Sequence, residues 1–404
     1  MGGGGLMTLL TSLPLFLGEE ISAASLLQTT GLAALGIALG IPLAIVSWFG
    51  WKERPALPFD PSRFWWGWVA LIPAFLFLVA LGATISYLLP PTVAPWLLPP
   101  IHIVTMCIPP LLVLGLVGWG LGGNGGSRRE MVAGMAGGGC LGMMISLIGE
   151  ILVVVAVIVI VAIVMVAMPG SLDRMSTLSE QIESPAWQAD VANLADVVLS
   201  PVVIASVLGI FCIPVPIIEE TAKTLAGGVT SGWVRPHPAR AFAWGVAAGA
   251  GFALAENLFN GAVGGVEGWV LGAVTRTGTT AMHCFASGLV GWGWGQLWSA
   301  RRPLRLLGAL TSAMIIHGIW NAAAVGLSFS SIAVTAAGGN VIQAGIVGLL
   351  LLLCAAALLI QTVAFVAGLP LIARRLAARK EPSQSDDDST ERVSASAMVD
   401  SLAP

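Results

Sequence analysis

The sequence predicts an all-α fold, a polytopic transmembrane bundle of about nine helices with the N-terminus outside and the C-terminus in the cytoplasm. Three observations predict it. The 404 residues are 56% hydrophobic and 10% charged, with mean hydropathy +0.90, which excludes an ordinary soluble domain. Apolar runs of about 20 residues or more, enough to cross a bilayer core, recur along the chain. Lys and Arg collect in alternate loops between those runs, as the positive-inside rule requires.

The runs fall at roughly 26–50, 64–89, 96–121, 141–168, 197–226, 239–263, 268–298, 304–327 and 341–370. Leu6 to Leu17 is too short to span and is placed on the outer side; without a charged n-region or a small-residue cleavage site it is not a removable signal peptide. Pro99, Pro100, Pro109 and Pro110 predict a kinked third helix. The run from Met131 to Met168 exceeds one simple span, so Gly137, Gly138 and Gly139 are expected to break it into an interfacial piece and a true span. Pro214 and Pro216 free backbone carbonyls in the fifth span. The small residues from Gly245 to Gly251 let the sixth helix approach its neighbours closely.

The basic loops carry Lys52, Arg54 and Arg63; Arg128 and Arg129; Lys223, Arg235 and Arg240; Arg301, Arg302 and Arg305; and Arg374, Arg375, Arg379 and Lys380. The intervening loops are uncharged or acidic, and the acidic one at 169–196 is expected to hold a short amphipathic helix. The tail beyond Lys380, rich in Ser and Asp, has a disordered composition. Three regions follow: N-terminal helices with the acidic outer loop at 1–196, a second membrane bundle at 197–372 and a cytoplasmic tail at 373–404. The expected setting is the lipid bilayer of a prokaryotic plasma membrane, with no nucleic-acid partner.

Within this apolar chain, ionisable residues stand where lipid should be: Glu219, Glu220 and Lys223; Glu256 with Asn257; Arg276 and His283; His317 with Asn321. A charge at the bilayer centre costs about 2.5 to 3.5 kcal/mol on insertion scales, so such groups turn inward and serve function. At about 1.5 Å rise per residue, Glu219 and Glu220 lie roughly 12 to 14 Å from the basic boundary, and His317, His283 and Glu256 roughly 20, 22 and 25 Å. Lys223 can pair with either acid at i,i+4 or i,i+3. His317 and Asn321 share a helix face, as do Glu256 and Asn260. Arg276 is expected to pair with Glu267 near the outer surface, and Glu150, His102 and His237 to be incidental. The tryptophans, among them Trp65, Trp294 and Trp298, fit interfacial belts. The cysteines at 107, 140, 212, 284 and 354 read as small hydrophobes.

Such a set hydrolyses amides in one of two ways. A buried glutamate acts as general base on water while His and Asn steady the oxyanion, or carboxylates and imidazoles hold a divalent metal that lowers the pKa of bound water. No HExxH is present, which excludes a zincin helix. Buried acids and imidazoles also serve ion- or proton-coupled transporters, or survive in a non-catalytic membrane scaffold.

The ordered motifs EExxK (Glu219, Glu220, Lys223), FxxxEN (Phe252, Glu256, Asn257), a histidine on the next span (His283, after Arg276) and HxxxN (His317, Asn321) resemble the PrsW family of intramembrane proteases, distantly similar to type II CAAX prenyl proteases. The resemblance covers residues 200–325 or so. It implies endopeptidase cleavage of a membrane-anchored protein, such as an anti-sigma factor. It places Glu219 or Glu220 as the base, Glu256 and His283 as partners, and His317 with Asn321 near the oxyanion. Glu256 stands where the CAAX relatives carry histidine, a departure that favours ligation of a metal such as zinc by Glu220, Glu256, His283 and His317. Lys223, Asn257 and Arg276 are then supporting residues.

Overall fold

A computed structural model describes residues 23–90, 92–167, 191–260, 265–337 and 340–379, with a few positions between 176 and 184. The segment Leu6 to Leu17, most of the acidic loop and the tail lie outside the described residues. The described residues form α1 (Ala23–Trp51), α2 (Trp65–Leu88), α3 (Ala94–Leu121), α4 (Arg128–Ala136), a π-helical segment (Gly137–Gly142), α5 (Met143–Ala167), α6 (Val191–Val198), α7 (Pro201–Cys212), α8 (Pro214–Val234), α9 (Pro238–Asn260), α10 (Gly265–Ala300), α11 (Pro303–Ala336) and α12 (Val341–Ala377). The protein is an all-α multi-pass membrane protein.

Among the described residues, eight helical stretches are long and apolar enough to cross a membrane. The expected seventh span, α10, is not among them, although it is 36 residues long. Its polar content explains the shortfall: Thr279, Thr280, His283, Ser287 and Gln296 are all buried in the bundle rather than turned to lipid. The third helix runs as one element despite its four prolines. The glycines at 137–139 do not break their run either, because the chain widens into a π turn and continues.

Helix α9 is the central rod, with 89% of its apolar window buried against 6% in α12. Its glycines make this possible. A Cβ on Gly251 would stand 1.9 Å from the carbonyl oxygen of Met135, and one on Gly245 would stand 2.1 Å from that of Ser287. Glycine is thus required there by backbone approach, as the small-residue stripe predicts. Gly138 of the π segment seats against the Ala248 carbonyl in the same way. Three apolar clusters surround this rod, drawn mainly from α3, α10, α11 and α12.

The basic loops meet at one end of the bundle. Arg129 donates to the Arg54 carbonyl at 2.6 Å, Arg240 pairs with Glu130 at 2.7 Å, and His237 Nε2 donates to the Arg379 carbonyl at 3.2 Å.

Two residue groups behave differently from expectation. His102 is fully buried, accepting from Trp269 Nε1 at Nδ1 (3.1 Å) and donating from Nε2 to the Leu258 carbonyl (3.1 Å), so it ties α3 and α10 to the end of α9. Trp65, Trp66 and Trp298 are exposed and Trp294 is half-buried, but the last two are also tied to a neighbouring helix. Trp294 and Trp298 donate to Thr224 Oγ1 and the Gly228 carbonyl and seal α10 against α8.

Candidate active site

The acidic pair is carried by α8, whose start is set by proline chemistry. Pro214 disfavours helical geometry at Ile213 (φ −121°, ψ −75°) and so ends α7. Pro214 and Pro216 then occupy the first turn of α8, where an amide hydrogen would have no partner anyway. The carbonyl of Phe211, freed by the break, accepts the Asn321 side-chain amide at 2.8 Å. Helix α8 runs on to Val234, eight residues past its predicted end at 226. Counted from there, Glu220 lies about 21 Å along the helix, level with His317 counted from the start of α11.

Glu219, Glu220, Lys223, His283 and His317 are each at most 5% exposed. Lys223 Nζ donates to Glu220 Oε1 and to His283 Nδ1, both at 2.7 Å, and stands 2.9 Å from Glu219 Oε2. Its charge also sits 4.3 Å from the centre of the Phe252 ring. His317 Nδ1 donates to Glu220 Oε1 at 2.9 Å, and its Nε2 lies 3.9 Å from Glu219 Oε2. The two imidazole rings meet edge to face, 5.1 Å apart.

Glu256 approaches from α9. Its Oε2 accepts from His283 Nε2 at 2.6 Å and lies 3.5 Å from Arg276 Nη2, while Asn260 donates to Oε1 at 3.2 Å. The expected partner of Arg276, Glu267, has a side chain outside the described residues, and the partner found is Glu256. Asn257 points elsewhere, donating to Thr280 Oγ1 at 2.9 Å and bracing α9 against α10. Glu150 of α5 is not isolated: its carboxyl interacts electrostatically with that of Glu219. Nothing within a turn of Glu150 in the sequence signals this, because the contact is made across the α5–α8 packing where Ile218 lies over Gly149.

The donor set is one that could hold a metal ion. Ligand atoms of Glu219, Glu220, His283 and His317 all lie within 4.8 Å of one another. Glu220 Oε2 is buried with no hydrogen-bond partner among the described residues, and Glu219 Oε2 is held by the Lys223 ammonium at 2.9 Å, so acceptor capacity remains for a cation or water. Glu219 enters this group in the position where Glu256 was expected. Glu256 instead holds the far nitrogen of His283, as an outer carboxylate holds a metal-ligating histidine. The chemistry accessible to such a cluster is activation of water beside a polarised carbonyl.

Comparison with known proteins agrees with the motifs. A family model described as PrsW family intramembrane metalloprotease matches residues 143–360, more than half of the chain. No curated protein and no solved structure matches.

Proposed function

We propose, since this chain belongs to the PrsW family of intramembrane metalloproteases, that the cluster on α8, α9, α10 and α11 is its hydrolytic centre. The chain is a membrane-embedded protease. The observation that carries the assignment is the meeting of Glu219, Glu220, His283 and His317 from three helices at one depth, with the buried Glu220 Oε2 left without a hydrogen bond.

In this reading Glu219 takes the proton of the attacking water, since its Oε2 faces the cluster, 2.9 Å from Lys223 Nζ and 3.9 Å from His317 Nε2. Glu220 is held in place by Lys223 and His317 and supplies negative charge. His283 keeps its Nδ1 lone pair toward the cluster because Glu256 accepts its other N–H. A divalent metal such as zinc, held by Glu220, His283 and His317 with Glu219 left as the base, would polarise the scissile carbonyl and lower the pKa of water. His317 Nε2 carries no hydrogen bond to Glu220 and is free to face the site. Asn321 stabilises the broken end of α7, an indirect contribution.

The substrate is a membrane-anchored protein, of which a regulator such as an anti-sigma factor is one instance, and the setting is a prokaryotic plasma membrane. Purified protein in liposomes with a single-span substrate tests the assignment. Glu219→Gln is expected to lower cleavage by about 100-fold or more, the scale of a lost general base. Cleavage at the wild-type rate by both Glu219→Gln and Glu220→Gln would overturn it.

A further inference from the structure

We propose that Lys223 is an exchangeable placeholder for the metal, its ammonium filling the cluster when no metal is bound and moving into the adjoining cavity when one loads. The proposal rests on the reading of the cluster as a metal-holding centre.

The ammonium already occupies the place a metal needs. It stands 2.7 to 2.9 Å from donor atoms of Glu220, His283 and Glu219, three of the four candidate ligand residues. Zinc would sit about 2.0 to 2.2 Å from such atoms, so the two cations compete for one volume and one set of lone pairs. The His283 lone pair that would bind metal is the one now accepting from Lys223, because the other ring nitrogen donates to Glu256. Phe252 completes the seat with its ring face, a surface suited to an ammonium.

An exit exists beside it. Lys223 also lines a cavity of about 260 Å³ between α4, α8 and α9, together with Ala226, Gly227, Thr230, Trp244 and Glu130. Glu130 also lines this cavity, its carboxylate held by Arg240 and the Trp244 indole N–H, so a displaced ammonium enters a space with polar lining rather than an apolar void. The long flexible stem of lysine permits that swing without moving α8. The arrangement also lowers the cost of two buried acids before metal arrives, because one resident cation pairs with both and halves their summed charge.

The test compares zinc binding, by chelator competition, and melting temperature for detergent-purified wild type, Lys223→Met and Gly227→Leu. Lys223→Met keeps the stem but removes the charge. It is expected to melt below wild type in chelator, to regain stability with zinc, and to bind zinc about tenfold or more tightly than wild type. Gly227→Leu fills the cavity, and its Cβ would meet nothing within 4 Å, so it should fold normally. Its zinc affinity is expected to fall about tenfold, because Lys223 has lost its exit. Should Lys223→Met fail to fold, the Gly227→Leu result decides. Equal affinity of wild type and Lys223→Met, or wild-type affinity in Gly227→Leu, overturns the placeholder. Zinc binding by none of the three overturns it as well, and continued cleavage in chelator would then leave the protease assignment standing.

Discussion

Glu256 Oε2 and His283 Nε2 are joined by a 2.6 Å hydrogen bond that links α9 to α10 and leaves Nδ1 as the only lone pair on the imidazole. Glu256→Gln keeps the shape but weakens the acceptor and offers an amide donor in its place. Cleavage of a single-span substrate is expected to fall about 10- to 100-fold, the usual effect of losing an outer carboxylate on a ligand histidine. Zinc affinity should fall alongside the rate, and an unchanged affinity would argue against this role.

Chelation is a second test. Dialysis of the purified protein against a strong chelator is expected to abolish cleavage, and stoichiometric zinc to restore it. An undiminished rate after verified metal removal would assign water activation to the carboxylates alone.

The packing of α9 makes a prediction independent of chemistry. Gly251→Ala places a methyl against the Met135 carbonyl, and neither backbone can yield cheaply. A loss of about 1 to 3 kcal/mol is expected, as for other overpacked interiors, read as a lowered melting temperature in detergent. Gly227→Ala on α8 meets open space and serves as the control.

His102→Phe tests the buried tie between α3, α9 and α10. It strands the Trp269 N–H and the Leu258 carbonyl, so stability should fall by about 1 to 3 kcal/mol. Metal affinity should stay at the wild-type value, since His102 has no bond to the cluster residues.

The helical bundle and the residues that gather in the buried cluster were legible because charge is conspicuous in apolar sequence. Glu219, Glu220, His283 and His317 each interrupt a run that otherwise reads as lipid-facing, and their order along the chain carries the family resemblance. What was hidden depends on contacts between distant segments. The depth of Glu219 and Glu220 came out too shallow because α8 continues past Gly228, which reads as an ending but packs against Trp294, and on through Gly232 beside Trp298. Glu150 and His102 had no partner within a helical turn, and only the tertiary packing supplies one. The role of Glu256 behind His283 likewise depends on which ring nitrogen faces which helix, a matter that spacing along one chain does not encode.

The π-helical segment from Gly137 to Gly142 has a further consequence for how this chain can vary. Its wide winding sets the angular phase between α4, which carries Glu130, and α5, which carries Glu150. Deleting one residue there would rotate everything beyond it by about 100°, swinging Glu150 away from Glu219 while leaving every side chain of the site chemically intact. The spacing between those two glutamates is therefore a length constraint, one that tolerates exchanges of apolar residues along α5 but not a change in their number.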